Sequence, residues 1–306
     1  MKNIKIYLTF LLIAVSIEVF SQAQPQYTQY MYNTMSINPA YTGSQNTLYA
    51  FGSYRSQWVG IDGAPTSQNI GVHSPLKNEA IGVGLNLLNE SLGPANQIFA
   101  DLNASYTILV SPTTNLAFGV KGGIKIFNVD FSKGNYQDPT DPLLSQNIEN
   151  KVNPILGTGA FLYSQNWYLG LSVPDFMTDE YYKEDVNAIA KEEIQFYLTA
   201  GYVFELSENV KFKPALLARY SANYPFGFDL STNFLIYEKL SLGLSYRHSD
   251  ALAALAGFYI SNSFFLGYSF DYSISEFTKY NDGTHEVVLT YTLPFRDRRV
   301  NSPRFF

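Results

Sequence analysis

The chain has no cysteine among its 306 residues, only three histidines, and a charged fraction of just 15%. Without cysteine, a disulfide scaffold and a thiolate metal site are both excluded, and a periplasmic or outer-membrane address is merely permitted. His73, His248 and His285 lie too far apart to form an H-x-x-x-H metal pair. The net charge of −6 comes with no basic stripe, which excludes a nucleic-acid footprint. No G-x-S-x-G elbow and no phosphate-binding Walker loop occurs, so nothing here asks for catalysis or a cofactor. Past the amino-terminal run no stretch of about eighteen apolar residues appears, so no helix is expected to cross a membrane.

Aromatic residues are abundant instead, with 24 Tyr and 23 Phe. Such a load suits strands and the aromatic girdles of membrane barrels better than helices. At the amino terminus, Lys2 and Lys5 precede an apolar run from Ile6 to Ile17, and Ser21 and Ala23 offer small residues for cleavage. Residues 1–23 therefore read as an export signal. Residues 24–46 are polar and aromatic, punctuated by Pro39 and Gly43, too irregular for a strand and without a helical stripe. They are expected to form a periplasmic segment or a plug, ahead of a barrel at 47–295 and a periplasmic tail at 296–306.

The barrel reading rests on alternation. In THEVVLTYTLPF, at 284–295, Val287, Leu289, Tyr291 and Leu293 share one face with His285 and Phe295. Glu286, Val288, Thr290 and Thr292 share the other. This is the period of a strand with one apolar and one polar side. Similar segments recur at 47–57, 66–74, 80–89, 97–109, 115–127, 155–163, 167–173, 194–204, 210–220, 227–237, 239–247, 251–260 and 263–272. With the closing strand that makes about fourteen, an even number as single-chain bacterial barrels have. Lys121, Lys125, Lys211, Lys213, Arg219, Arg247, Asp271 and Glu286 all fall on the polar phase. A Lys or Arg facing lipid at mid-depth costs about 2–4 kcal/mol, so these side chains are expected in the lumen. A soluble β-sandwich gives the same alternation, but the export signal, the long strands and the even count favour an all-β outer-membrane barrel. Every second connection is tight, while those at 128–154 and 174–193 are long. Short periplasmic turns and longer outer loops follow if both termini lie inside.

Three features invite a chemical reading. Asp138, Asp141 and Glu149 lack the ordered spacing of a calcium loop and read as solvated loop charges. The acidic connection 174–193 carries Tyr181 and Tyr182, which are candidate contacts because exposed aromatics often anchor partners. Luminal Lys and Arg fit either an anion path or a network paired with Asp101, Asp229, Asp271 and Glu286; sequence does not separate the two.

A family resemblance runs through the chain in order. It is carried by INPAYTGS at 37–44, YRSQWVGIDGAPTSQNIGVHSPL at 54–76 and GVGLNLLNESLGPAN at 82–96. GLSVPDF at 170–176, KPALLARYS from Lys213, LSLGLSYRHSDALAALAGF from Leu240, GTHEVVLTY from Gly283 and the final SPRFF continue it. These stretches resemble the PorP/SprF family. The resemblance implies an outer-membrane protein of the type IX secretion system, with outer-membrane lipid around it and secretion components in the periplasm. Some members of the family belong to the core translocation apparatus; for many others the resemblance implies a partner, a large secreted surface protein, an adhesin or gliding protein, bearing a C-terminal sorting domain. Catalytic, cofactor and metal residues are none. In the first-hairpin motif Gly60, Gly63 and Pro65 shape a turn, and Trp58 and Asp62 are contact candidates beside Tyr181 and Tyr182. The reading that competes is an outer-membrane channel for small solutes.

Overall fold

A computed structural model describes residues 26–77, 79–134, 147–177, 193–222 and 224–293. Its strands, in chain order, are β1 (Leu48–Ser56), β2 (Thr66–Pro75), β3 (Ile81–Leu92), β4 (Ala95–Ser111), β5 (Thr114–Val129), β6 (Ile148–Tyr163) and β7 (Trp167–Val173). β8 (Gln195–Tyr202), β9 (Phe204–Ser207), β10 (Val210–Ser221), β11 (Tyr224–Ile236) and β12 (Leu240–Arg247) follow. β13 (Ala251–Tyr259), β14 (Phe264–Ser273) and β15 (Thr284–Leu293) complete the set. β8 and β9 are two parts of one crossing strand. Ala215 pairs with Gly201 and Phe212 with Phe204, so the register against β10 is kept across Val203. Fourteen antiparallel strands therefore cross.

Neighbours in sequence are neighbours in the sheet, and β15 returns to β1, pairing Leu293 with Leu48 and His285 with Ser56. Closure removes both sheet edges, which is the requirement for strands in lipid. The outer wall is apolar, with Ile70 and Leu102 each 66% exposed and Leu109, Val120 and Leu244 alongside. The opposite phase is buried and polar: Asn69, Asn86, Asn103, Ser231, Asn233 and Ser269 face inward. Lys121, Lys125, Lys213, Arg247, Asp271 and Glu286 are buried with them, as the alternation predicts.

The barrel has two unlike ends. At one, β1 starts, β15 finishes, and the connections are 76–80, 112–113, 164–166, 208–209, 237–239 and 260–263. This is the turn end. The other, the loop end, carries 57–65, 130–147, 174–194 and 274–283, but also the tight 93–94, 222–223 and 248–250. The long connection expected at 128–154 is shorter than its sequence implies. Residues 148–154 extend β6, pairing Val152 with Ile126 and Pro154 with Ile124. Hydrophobic alternation fades there (IENKVNP), and polar strand ends still pair through the backbone.

Candidate functional site

Residues 26–47 lie inside the barrel. The segment makes three short helical turns, Tyr30–Tyr32, Thr34–Ile37 and Pro39–Tyr41, and nearly all of it is buried. Its course is set by wall residues. Thr28 and Gln29 meet Glu286 of β15, close to the loop end. Ser36 and Ile37 meet Lys121 and Ser172 on β5 and β7. The Thr42 carbonyl accepts from Ser105, and the Thr47 hydroxyl donates to the Leu293 carbonyl at the turn end. The chain thus descends the lumen from the loop end to the turn end before entering β1. The expectation that both termini stay on the turn side does not hold for this segment: Gln26 to Thr28 lie at the other end.

Buried backbone groups must be paired, and the wall supplies the partners. Lys121 Nζ donates to the Ser36 carbonyl at 2.7 Å, Ser172 Oγ to that of Ile37 at 2.7 Å, and Ser105 Oγ to that of Thr42 at 2.6 Å. The Tyr49 hydroxyl donates to the Tyr32 carbonyl at 3.0 Å. Within INPAYTGS, Pro39 opens the last helical turn, where its missing N–H is harmless. The Asn38 side chain accepts from Ala40 N at 3.0 Å and donates to the Ala160 carbonyl of β6 at 3.1 Å. Close approach needs glycine on the wall. A Cβ on Gly119 would collide with the backbone of Pro39 and Ala40, and one on Gly82 with Thr42. Aromatic rings fill what remains: Tyr32 stacks on Phe265 at 4.6 Å, and Tyr41 meets Phe161 edge-on at 5.4 Å.

An ionic cluster anchors the loop-end part. Arg55 of β1 donates to Glu286 Oε2 at 2.9 Å and to Asp271 Oδ2 at 2.8 Å, all three side chains being almost fully buried. Arg247 donates through Nε to Asp229 at 2.8 Å and reaches Asp271 at 3.4 Å. The Thr28 hydroxyl donates to Asp271 at 2.6 Å and accepts from Arg55 at 3.2 Å and Arg247 at 3.1 Å. Glu286 also accepts the backbone N–H of Thr28 and of Gln29. A buried charge is tolerated only when so paired. Asp101 and Lys121 make a further luminal pair at 3.6 Å. Of the two readings left open for the luminal charges, the paired network describes these residues.

Sequence reading missed Arg55 and Thr28 as members of this cluster. Arg55 stood inside a quoted motif with no role, and Thr28 in the stretch without periodicity. The one available signal was an arginine on the inward phase of β1, between Tyr54 and Ser56.

Between the segment and β3 to β8 a cavity of about 90 Å3 remains, lined by Tyr27, Glu90, Phe99, Asp101, Asp175 and Tyr197 among others. It is polar enough and large enough to admit water. Among the described residues no group of three or more His, Asp or Glu is arranged to hold a metal ion. Asp138 and Asp141 lie outside the described residues. In the short turn Phe131–Lys133 that follows β5, the Ser132 hydroxyl holds the Asp130 carboxyl below its usual range.

The contact candidates separate. Trp58 and Asp62 sit on the loop-end connection 57–65, with Asp62 exposed. Tyr181 and Tyr182 lie outside the described residues. Trp58 has a left-handed backbone (φ 48°), rare for a bulky residue. Its N–H donates to Thr284 Oγ1 at 3.1 Å, and its ring meets Phe277 edge-on at 4.9 Å. Val59 N donates to the Gly283 carbonyl at 2.9 Å and Asp282 N to that of Val59 at 2.8 Å, which zips 57–65 to 274–283 over the closing seam. Gly63 and Gly93, both with positive φ, bring 57–65 against the β3–β4 turn through a 2.8 Å backbone bond.

Among solved structures, the chain is similar to the Acinetobacter baumannii outer membrane protein Omp33 at 8% identity. That match has a TM-score of 0.48, over 81% of this chain and 98% of the other. It is also similar to a Pseudomonas aeruginosa FadL homologue at 11% identity and a TM-score of 0.45, over 88% and 94%. No curated protein sequence matches. Residues 19–291 match the family described as type IX secretion system membrane protein PorP/SprF. With that match over most of its length and a closed fourteen-stranded barrel, the chain belongs to the PorP/SprF family and is an outer-membrane protein of the type IX secretion system.

Proposed function

We propose that this barrel is a non-enzymatic scaffold that supports export or surface attachment of a secreted protein bearing a C-terminal sorting domain. The observation that carries this reading is the filled lumen. Residues 28–45 are almost wholly buried against the wall, and their carbonyls are taken by Lys121, Ser172, Ser105 and Tyr49. A solute channel needs that space; a scaffold does not. With the interior occupied, the working surface is a rim, and the loop-end rim is the more elaborate one. Loops on a rigid framework are where binding residues concentrate. Trp58 and Asp62 on 57–65, with Tyr181 and Tyr182 of the acidic 174–193 connection, are the proposed contacts.

The test replaces residues 178–190 with a short Gly-Ser turn. Insertion depends on the strands, so the barrel is expected at normal level while the client is released into the medium or its export stops. Cell-associated client unchanged at a normal barrel level would sink the loop-end reading. The channel alternative is tested separately, by planar-bilayer conductance of the intact protein, which should be near baseline.

A further inference from the structure

The segment fills the lumen unevenly. Thr28 and Gln29 enter against β14 and β15, while the cavity lies on the side of β3 to β8. It is open, and part of its lining gathers at the loop end. Glu90 stands two residues before β3 finishes, Gln97 two residues into β4, and Asp175 at the head of 174–194. Its floor is the Asp101–Lys121 pair with Ser36 and Ile37 of the segment. The walls are aromatic and apolar: Tyr27, Leu88 and Tyr197 are buried in one cluster, with Phe99 packed against it. Three carboxylates, Glu90, Asp101 and Asp175, line the cavity against one ammonium, Lys121. Lys125 stands 5.8 Å from the Phe99 ring without lining the cavity, and counting it still leaves negative charge in excess. Ser67 donates to Glu90 Oε1 at 3.2 Å and the Met177 N–H to Asp175 Oδ1 at 3.0 Å, which holds both carboxylates at the mouth.

A second observation is independent of charge. Tyr27 lines the cavity at 6% exposure, and its hydroxyl makes no hydrogen bond among the described residues. Asn69 lies close to it without hydrogen-bond geometry. A buried polar group in that state calls for a partner the fold does not supply. We propose that the cavity is a socket for one basic side chain, lysine or arginine, of the secreted client. The stem of such a side chain packs on Leu88 and Pro174 while its charged tip reaches the rings and carboxylates. The tip donates to the Tyr27 hydroxyl and completes it. The cation follows from the lining; the client as its bearer rests on the reading under Proposed function.

The test uses the intact barrel in detergent micelles with Gln97→Cys, which puts the chain's only thiol on the cavity wall. Ser261→Cys, in the exposed 260–263 turn, is the reference. Each is modified by cationic 2-aminoethyl and anionic 2-sulfonatoethyl methanethiosulfonate. The cation-to-anion rate ratio at position 97 should exceed that at 261 by about tenfold, as charged clefts concentrate counter-ions. Adding Glu90→Gln and Asp175→Asn should bring it down to the reference. A ratio no higher at 97 than at 261, or no modification at 97 by either reagent, overturns the proposal. Nα-acetyl-lysine amide should then slow modification of position 97 by neutral methyl methanethiosulfonate, and the norleucine and glutamate amides should not. Equal slowing by all three, or by none, overturns it. Tyr27→Phe should weaken that protection at an unchanged unfolding midpoint; unchanged protection overturns the role given to the hydroxyl. If Gln97→Cys fails to fold, as judged by heat-modifiable migration, Leu88→Cys replaces it. In cells, Glu90→Gln with Asp175→Asn should lower cell-associated client at a normal barrel level. Unchanged client beside a cation-selective cavity overturns the client as occupant. The 178–190 replacement, scored in parallel, shows separately whether the scaffold reading holds.

Discussion

Arg55→Met tests whether the segment is locked in place by charge. Arg55 contacts Asp271 at 2.8 Å and Glu286 at 2.9 Å, with side-chain exposures of 2%, 4% and 1%. At an effective dielectric of about 20, each contact is worth about 6 kcal/mol before desolvation. Desolvation of three ions removes much of that sum, yet it stays in place when only the cation is deleted. Asp271 then keeps Arg247 at 3.4 Å, while Glu286 keeps only the N–H groups of Thr28 and Gln29. Removing one partner of such a buried set costs about 3–5 kcal/mol. Lys211–Glu238 is the internal control, since it has the same 2.9 Å separation with side-chain exposures of 20% and 74%. Breaking it with Glu238→Gln should cost less than about 1 kcal/mol. Adding Glu286→Gln to Arg55→Met should recover part of the loss by discharging the stranded carboxylate. Urea unfolding from lipid vesicles, followed by tryptophan fluorescence, reads all four proteins. Equal costs for Arg55→Met and Glu238→Gln would refute the reasoning, because the first strands buried carboxylates and the second leaves only a solvent-reachable lysine.

Two further predictions concern the wall. Gly119→Leu drives a side chain into Pro39 and Ala40, whereas Gly122→Leu, whose Cβ meets nothing within 4 Å, points to lipid. Bilayer conductance should rise only in the first, and a rise in both or neither would show that the segment does not seal the lumen at that level. Leu102→Arg places a cation mid-strand on the lipid face and should lower folding stability in vesicles by about 2–4 kcal/mol. Leu206→Arg, next to the 208–209 turn, should cost about 0–1 kcal/mol, and equal costs would mean that the depth assignment is wrong.

The wall was legible in the sequence because lipid enforces it. Leu266 and Tyr268 face out and Phe265, Ser269 and Asp271 face in, since a polar group on the outer phase has no partner in hydrocarbon. The count and the pairing order follow from the same rule. The segment was not legible in the same way, since it has no periodicity and its partners are far away in the chain. Thr28 and Glu286 are 258 residues apart, and no local pattern links them. Serines such as Ser105 and Ser172 look like ordinary luminal residues until a carbonyl is found against each. Ser269 shows what this changes. Taken as merely lumen-facing, it would tolerate arginine better than Leu266 does; fully buried in a filled interior, it has no room for one.

The inward aromatics carry the last step. Phe51, Phe161 and Phe265 sit on the phase that a water-filled barrel reserves for polar side chains, and each is nearly inaccessible. Phe161 joins Tyr41, Met35 and Ala40 of the segment in one apolar cluster, and Phe265 joins Tyr32. These clusters are what a soluble domain builds between its layers; here the layers are the segment and the barrel wall. A plug that leaves to open a pore is held by few apolar contacts, because each departure exposes them to water. This one is held by stacked rings, by wall glycines cut to its backbone and by a buried ionic cluster. Segment and wall therefore form one folded unit, which is why the proposed partner contacts are placed on the loop-end rim, where Trp58 and its strained backbone lie.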